Sequence, residues 1–205
     1  YKGVPMNINA IMPYSFYKNQ HIRNLFVGNQ GNIGIMAFCE CTNLQYANIS
    51  NIGTIDMHAF YECINLENIS ISNQGHIGTQ AFYGCTNLTE FIIPNSVTYI
   101  GDYAFSGCSG LTELILPHSV KEIGAYAVYE CTGLETVTIG SGVSEIGEYA
   151  FAYCDEISIV NSYAKVPPTI YSNTCTVHRN YRITLHVVKG CKDAYANYWA
   201  CFPNI

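Results

Sequence analysis

The residues with the greatest chemical potential in this chain are its ten cysteines. Grouped cysteines usually close disulfides or hold a metal ion. Six of them instead recur at intervals of 22, 22, 23, 23 and 23 residues, namely Cys41, Cys63, Cys85, Cys108, Cys131 and Cys154. A fixed interval predicts one equivalent place in each of several repeats. Because free cysteine is among the most buried residue types, the spacing favours a structural ladder of buried thiols over disulfides.

The other four cysteines are Cys39, Cys175, Cys191 and Cys201, and the sequence leaves open whether any of them forms a disulfide. Cys175 and His178 form a single C-x-x-H, without the second pair that a zinc site needs. His186 and Cys191 lie nearby in sequence, but a Cys–His nucleophile also needs a third group that orients the base. We therefore predict no enzyme, no catalytic residue, no metal and no cofactor, and keep an enzyme using this Cys/His-rich end as a third hypothesis.

Three further columns of residues keep the interval of the cysteines. An aromatic position, a leucine position and an isoleucine position recur in every unit, the first as Phe16, Phe38, Phe60, Phe82, Phe105, Val128 and Phe151. Such a period is typical of leucine-rich repeats, whose stacked units share one continuous core. The sequence predicts an α/β leucine-rich-repeat solenoid: a right-handed superhelix of about seven coils of 22–23 residues, with a parallel sheet on its concave face.

One coil can be divided into three segments. In LTELILP, residues 111–117, strand alternation points Leu111, Leu114 and Leu116 inward and Glu113 and Ile115 outward. SVKEIG is predicted to be a second extended piece, with Gly124 in a turn of positive φ. AYAVYEC is predicted to be a short helical turn on the convex side, with Cys131 in the core.

The two ends of the chain differ from the repeats. Pro5 is spaced from Phe16 like the proline that ends a strand in later coils, so we expect the repeats, residues 1–160, to be truncated at their N-terminal end. We expect residues 161–205 to be a C-terminal cap of loop, strand and helix. Its aromatic residues at helical spacing should cover the last coil, namely Tyr195, Tyr198, Trp199 and Phe202.

Charge and hydropathy exclude two classes of function. The formal net charge of −6 argues against nucleic-acid binding, which needs a basic face toward the phosphates. The sequence contains no apolar run of the roughly 18 residues that span a bilayer. We therefore predict no nucleic-acid partner and no transmembrane segment in this chain.

The repeat resembles the BspA-like leucine-rich repeats, most clearly in SVTYIGDYAFSGCSGLTELILP and SVKEIGAYAVYECTGLETVTIG. The resemblance implies an extracellular or cell-surface protein, in some cases anchored in the outer membrane through a segment missing here. It also implies a non-enzymatic adhesion module that recognises a host or matrix protein or a glycan, and we predict that the chain is a monomer. The alternative hypothesis is a structural spacer that presents another domain.

Candidate binding residues are the outward strand positions, because solenoids use this surface for recognition. They are Asn24, Phe26, Tyr46, Asn48, Asn68, Glu90, Ile92, Glu113, Ile115 and Thr136. Phe26, Ile92 and Ile115 are unusually apolar for positions that face solvent. A second candidate is a tyrosine column of Tyr103, Tyr126 and Tyr149, for which packing against its own neighbours is the favoured interpretation.

Overall fold

The computed structural model describes residues 10–28, 31–50, 53–72, 75–175 and 183–199. Over these residues the chain winds as a parallel β-solenoid of about seven turns, which confirms the predicted architecture. Each turn contributes a strand to a main face, a shorter extended piece to a second side and a segment of turns to the third. The division into repeats and cap after residue 160 stays a prediction.

The strands are short and parallel. In chain order they are β1 (Asn24–Gly28), β2 (Tyr46–Ser50), β3 (Asn68–Ile71), β4 (Glu90–Phe91), β5 (Tyr99–Ile100), β6 (Glu113–Leu116), β7 (Glu122–Ile123), β8 (Thr136–Ile139), β9 (Glu145–Ile146), β10 (Ile159–Ser162) and β11 (Thr184–Val187). On the main face, β1, β2, β3 and β4 form one sheet, and β6, β8, β10 and β11 form another. On the second side, β5, β7 and β9 pair in register, and single bridges continue this ladder through Ile77, Ile55 and Ile33 to Ile11.

The third side differs from the predicted helical turn. It consists of overlapping β-turns: in one coil, the N–H groups of Ala104, Ser106 and Cys108 donate to the carbonyls three residues earlier. Each of the seven turn segments places two residues at positive φ, four positions apart, such as Tyr103 at 55° and Gly107 at 74°. Twelve of these residues are not glycine, although an L-residue pays a penalty in this region.

Backbone hydrogen bonds between coils explain how the turns keep this conformation. The N–H of Tyr103 donates to the carbonyl of Ala125 in the next coil at 2.9 Å, and that of Glu130 donates to Ala152 at 3.0 Å. Along a turn segment, N–H groups that donate within the coil therefore alternate with N–H groups that donate to the next coil. An α-helix would direct every N–H along its own axis and would lose the second set of bonds.

The apolar columns form one continuous core. Phe16, Phe38, Phe60, Phe82 and Phe105 stack in near-parallel pairs with centroids 5.0 to 5.4 Å apart. Gly124 lies against the preceding coil and not at positive φ, contrary to our prediction. A Cβ there would lie 2.6 Å from the backbone N of Asp102, so glycine is needed for close approach of the coils.

At the C-terminal end, β11 extends the main face and helix α1 (Lys192–Tyr198) follows it. Tyr195 is buried, and its hydroxyl donates to the carbonyl of Ala164 at 2.8 Å. The Nε1–H of Trp199, also buried, donates to the carbonyl of Pro168 at 3.0 Å. The side chain of Tyr198 and the whole of Phe202, the other two aromatic residues predicted to cover the last coil, lie outside the described part.

Candidate functional site

The outward side chains of the main sheets form two rows, which together we name the strand face. The first row contains Asn24, Tyr46, Asn68, Glu90, Glu113 and Thr136, and the second contains Phe26, Asn48, Ser70, Ile92, Ile115 and Thr138. Between the rows, inward residues such as Leu114 and Val137 are buried. All ten residues predicted from sequence lie on this face, exposed or half-buried.

Three side chains in the second row are apolar and open to solvent. The exposed fraction is 79% for Phe26, 83% for Ile92 and 51% for Ile115. Their neighbours in the row are small and polar, such as Ser70 and Thr138. Scattered exposed apolar residues are ordinary, but Ile92, directly after β4, and Ile115, on β6 in the next coil, lie close together and form a patch.

The sheet is interrupted beneath this patch. Where β8 follows β6, the N–H groups of Glu135 and Thr136 donate to the carbonyl of Thr112 at 2.9 and 3.3 Å. In this fully described stretch, no equivalent bond from Thr112 to Thr89 joins β6 to β4, and the main face divides there into two sheets. The other two sides stay continuous, through the bridge between Ile77 and Ile100 and the turn bonds. The gap is therefore confined to the strand face.

The side chain of Phe91 lies in the core beside the gap. It is the inward residue of β4, where the equivalent residues are smaller: Leu25, Ala47, Ile69, Leu114, Val137, Val160 and Leu185. Its ring packs between Phe82 and Phe105, with centroids 4.9 and 4.8 Å away. Interiors are close-packed, so a ring at this position needs more room than the aliphatic side chains at the equivalent positions of the other coils.

An open groove of about 800 Å³ lies over the gap. Its floor includes Ile92 and Ile115, and the carboxylates of Glu90 and Glu113 border one side. His118 and Tyr163 border the other, with ring centroids 6.0 Å apart. The strand pattern of the sequence predicts the first four residues but not His118 or Tyr163, because these lie in loops that follow strands in different coils.

The hydrogen bonds of His118 determine which ring nitrogen carries a proton when the ring is neutral. Its Nδ1 accepts from the backbone N–H of Ser141 at 3.0 Å, and the Ser141 hydroxyl lies at the same distance. A nitrogen that accepts from a backbone N–H carries no proton itself, so the proton is on Nε2. His118 thus supplies the groove with one N–H donor.

The charge of the groove is negative. Glu90 and Glu113 are exposed and adjacent in the first row, and no lysine or arginine is among the described residues that line the groove. The negative charge and the apolar floor of the groove favour a ligand that combines an apolar group with positive charge.

Outside the groove, Tyr46 of the first row also contacts a carboxylate. Its hydroxyl donates to Glu67 at 2.7 Å, and this hydrogen bond raises the pKa of Tyr46.

The six ladder cysteines lie in the core, away from the groove. Each thiol donates to the carbonyl of the aromatic-column residue in the preceding coil, at 3.0 to 3.2 Å, as Cys108 does to Phe82. None of the six forms a disulfide. Burial raises the pKa of Cys108 to about 12 and that of Cys85 well above the usual thiol range. Such thiols are poor nucleophiles at neutral pH.

The residues of the third hypothesis are only partly described. His186 is exposed on β11, and its Nδ1 lies 3.0 Å from the side-chain oxygen of Asn161. Cys191 is half-buried before α1, whereas His178 and Cys201 lie outside the described residues. Among the described side chains, no group of three or more His, Cys, Asp or Glu is placed to hold a metal ion. No described helix has the length and apolarity to cross a membrane.

The tyrosine column packs against itself. The rings of Tyr103 and Tyr126 stack with centroids 4.6 Å apart, and those of Tyr126 and Tyr149 stack at 4.9 Å. Stacking covers both faces of Tyr126 and leaves mainly ring edges to solvent. A sugar ring binds aromatic faces, so this column is a weaker candidate for a binding surface than the groove.

Most of the sequence matches one family of repeat proteins. Residues 3–76 and 75–186 match the BspA type leucine rich repeat region, in six copies. No curated protein matches the chain significantly. The fold is similar to that of a leucine rich repeat protein from T. pallidum, with 25% identity and a TM-score of 0.64 over 76% of this chain and 77% of that one.

Two further crystal structures share the fold. A leucine-rich repeat protein from Bacteroides ovatus is 24% identical, with a TM-score of 0.73 over 89% of this chain and 46% of that chain. The present chain therefore spans less than half of that protein. The pneumococcal vaccine antigen PcpA is 15% identical, with a TM-score of 0.59 over 94% of this chain and 75% of that chain.

Proposed function

Because the chain belongs to the family of BspA-type leucine-rich repeat proteins, we propose that it is a non-enzymatic adhesion module that binds its partner on the strand face. The partner is a host or matrix protein or a glycan, and the module acts outside the cell or on its surface. We propose further that it acts as a monomer.

One observation carries this proposal: the exposure of Phe26, Ile92 and Ile115 in a single row whose other members, Asn48, Ser70 and Thr138, are polar. Burial of apolar area contributes roughly 25 cal/mol per Å², so a large side chain left in water at a fixed place is a ready contact for a partner. A spacer needs no such row. An outward face of small polar residues would serve a spacer better because it would resist association.

The test is a binding screen against immobilised matrix proteins and glycans, with the triple variant Phe26→Asp, Ile92→Asp and Ile115→Asp. We expect at least one ligand to bind the natural chain and to lose at least tenfold in affinity for the variant, while the melting temperature is unchanged. Met12→Asp is the matched control, because Met12 is 66% exposed but lies outside the strand face.

Two results would contradict the proposal. Equal binding of the natural chain and the triple variant would place recognition on another surface. No binding to any protein or glycan at micromolar concentration would favour the spacer.

A further inference from the structure

The groove over the gap between β4 and β6 has the features of a specific ligand site. It combines an apolar floor, two carboxylates, a histidine N–H donor and a tyrosine within one concave volume. Binding sites are commonly apolar hollows with a few convergent polar groups. The groove lies where the main face divides into two sheets, and the buried Phe91 packs against Phe82 and Phe105 beneath it.

We infer that this groove binds an extended polypeptide segment in which lysine or arginine alternates with aliphatic side chains. This inference rests on the proposed function and specifies the partner of the same face. Charge complementarity selects a basic segment, because Glu90 and Glu113 are the charged residues at the groove and have no cationic neighbour among its described lining. The apolar floor selects the aliphatic side chains.

The spacing of the two rows explains why basic and aliphatic side chains should alternate in the bound segment. In each of the two coils the glutamate of the first row and the isoleucine of the second are two residues apart along the extended chain, or about 7 Å. An extended segment that crosses the strands directs successive side chains to opposite sides. Its basic side chains then reach Glu90 and Glu113, and its aliphatic ones lie on Ile92 and Ile115.

His118 and Tyr163 complete the apolar side of the groove. Both follow the isoleucine row along the strand direction, so they flank an aliphatic side chain bound beside Ile115. The Nε2–H of His118 can donate to a backbone carbonyl of the segment, since its Nδ1 is already held by Ser141. A glycan could donate hydrogen bonds from its hydroxyl groups to the two carboxylates, but it would bring no positive charge to neutralise them and no aliphatic side chain for the apolar floor.

The test uses synthetic octapeptides, with binding measured by fluorescence anisotropy. The probe alternates lysine with leucine, a second peptide has glutamate in place of lysine, and a third has serine in place of leucine. We expect the lysine–leucine peptide to bind at least tenfold more tightly than either control. Its affinity should fall as the salt concentration rises from about 50 to 500 mM, because salt screens the exposed carboxylates.

Variants separate the two parts of the site. The pair Ile92→Asp and Ile115→Asp should reduce peptide affinity at least tenfold, and the pair Glu90→Gln and Glu113→Gln should reduce both the affinity and its salt dependence. Met12→Asp should leave peptide binding unchanged, because Met12 is exposed but lies outside both the groove and the strand face. Unchanged melting temperatures would show that each variant is folded.

The outcomes distinguish this inference from the proposed function. Absence of peptide binding, equal binding of the glutamate peptide, or binding that is insensitive to the groove variants would each overturn the inference. A matrix ligand that is lost with Phe26→Asp alone, but kept with Ile92→Asp and Ile115→Asp, would overturn it as well. That last result would leave the strand face as the recognition surface.

Discussion

At the scale of single residues, Leu111 and Glu113 are two positions apart but differ in environment. Leu111 is fully buried beneath the strand face, whereas Glu113 points to solvent from β6. We expect Leu111→Ala to lower the free energy of unfolding by roughly 2–5 kcal/mol, because a buried side chain loses both its transfer energy and its packing. Glu113→Ala should change it by less than about 0.5 kcal/mol, as is usual at exposed positions.

Chemical denaturation of the two variants beside the natural chain measures both values. Losses of similar size would mean that the inward and outward positions of the strand have been assigned wrongly. The pair also calibrates the binding experiments, since Glu113 belongs to the groove and its replacement must leave the fold intact for a change in affinity to be interpreted.

At the scale of elements, two glycines in neighbouring segments are required for different reasons. Gly107 has a φ of 74°, but a Cβ there would meet only atoms 3.7 Å away, so its requirement is conformational. Gly124 is not at positive φ, but a Cβ there would lie 2.6 Å from the backbone N of Asp102. We expect Gly107→Ala to cost about 1 kcal/mol, from the left-handed backbone alone. Gly124→Ala should cost more, about 2–3 kcal/mol, because the coils must move apart.

Thermal melts of the two alanine variants test this order. The reverse order would show that the turn segment is more rigid than the contact between coils. Gly107→Asn is a useful third variant, because asparagine tolerates the left-handed region better than alanine and should recover part of the loss.

The turn segments also show what could be predicted from the sequence and what could not. The strands and the core columns followed from the period, because buried side chains must repeat at the same place in every coil. The apolar spacing of Ala127, Val128 and Cys131 fits one helical turn equally well, so the sequence did not distinguish helix from turns. The hydrogen bonds that decide in favour of turns join residues about 22 positions apart, and a local pattern cannot show them.

The groove was only half predictable for a similar reason. Exposed Ile92 and Ile115 followed from strand alternation. Phe91 and the change of interval from 22 to 23 residues after Cys85 were both visible in the sequence, but their effect depends on how three rings pack in the core. His118 and Tyr163 are 45 positions apart and meet only because the chain makes nearly two turns between them.

At the scale of the whole molecule, the thiol ladder links stability to pH. Burial raises the folded-state pKa of Cys108 from 9.0 to about 12, that of Cys41 to about 11, and those of Cys63, Cys85 and Cys131 well above 9.0. Between pH 9 and the folded-state values, an unfolded chain releases these protons and the folded one keeps them. The unfolded state then binds fewer protons, so stability is complete below about pH 9 and falls as the pH rises.

We expect the free energy of unfolding to decrease steeply between pH 9 and 10.5, and less steeply in Cys108→Ser. Serine does not titrate in this range but can still donate to the carbonyl of Phe82. One buried thiol changes the free energy of unfolding by up to about 1.4 kcal/mol per pH unit. The difference in this free energy between the natural chain and Cys108→Ser should therefore shrink by up to about 2 kcal/mol over this interval. Denaturant titrations in the presence of a reductant measure the difference.

Val128→Ala is the matched control, because Val128 is buried in the same core but carries no proton. It should lower stability equally at every pH, since only packing is lost. Parallel pH curves for the natural chain and Cys108→Ser would contradict the linkage, and would mean that the core admits water to its thiols. A solenoid whose coils separate that readily could not keep the gap between β4 and β6 confined to one face, so this outcome would also weaken the case for a preformed groove.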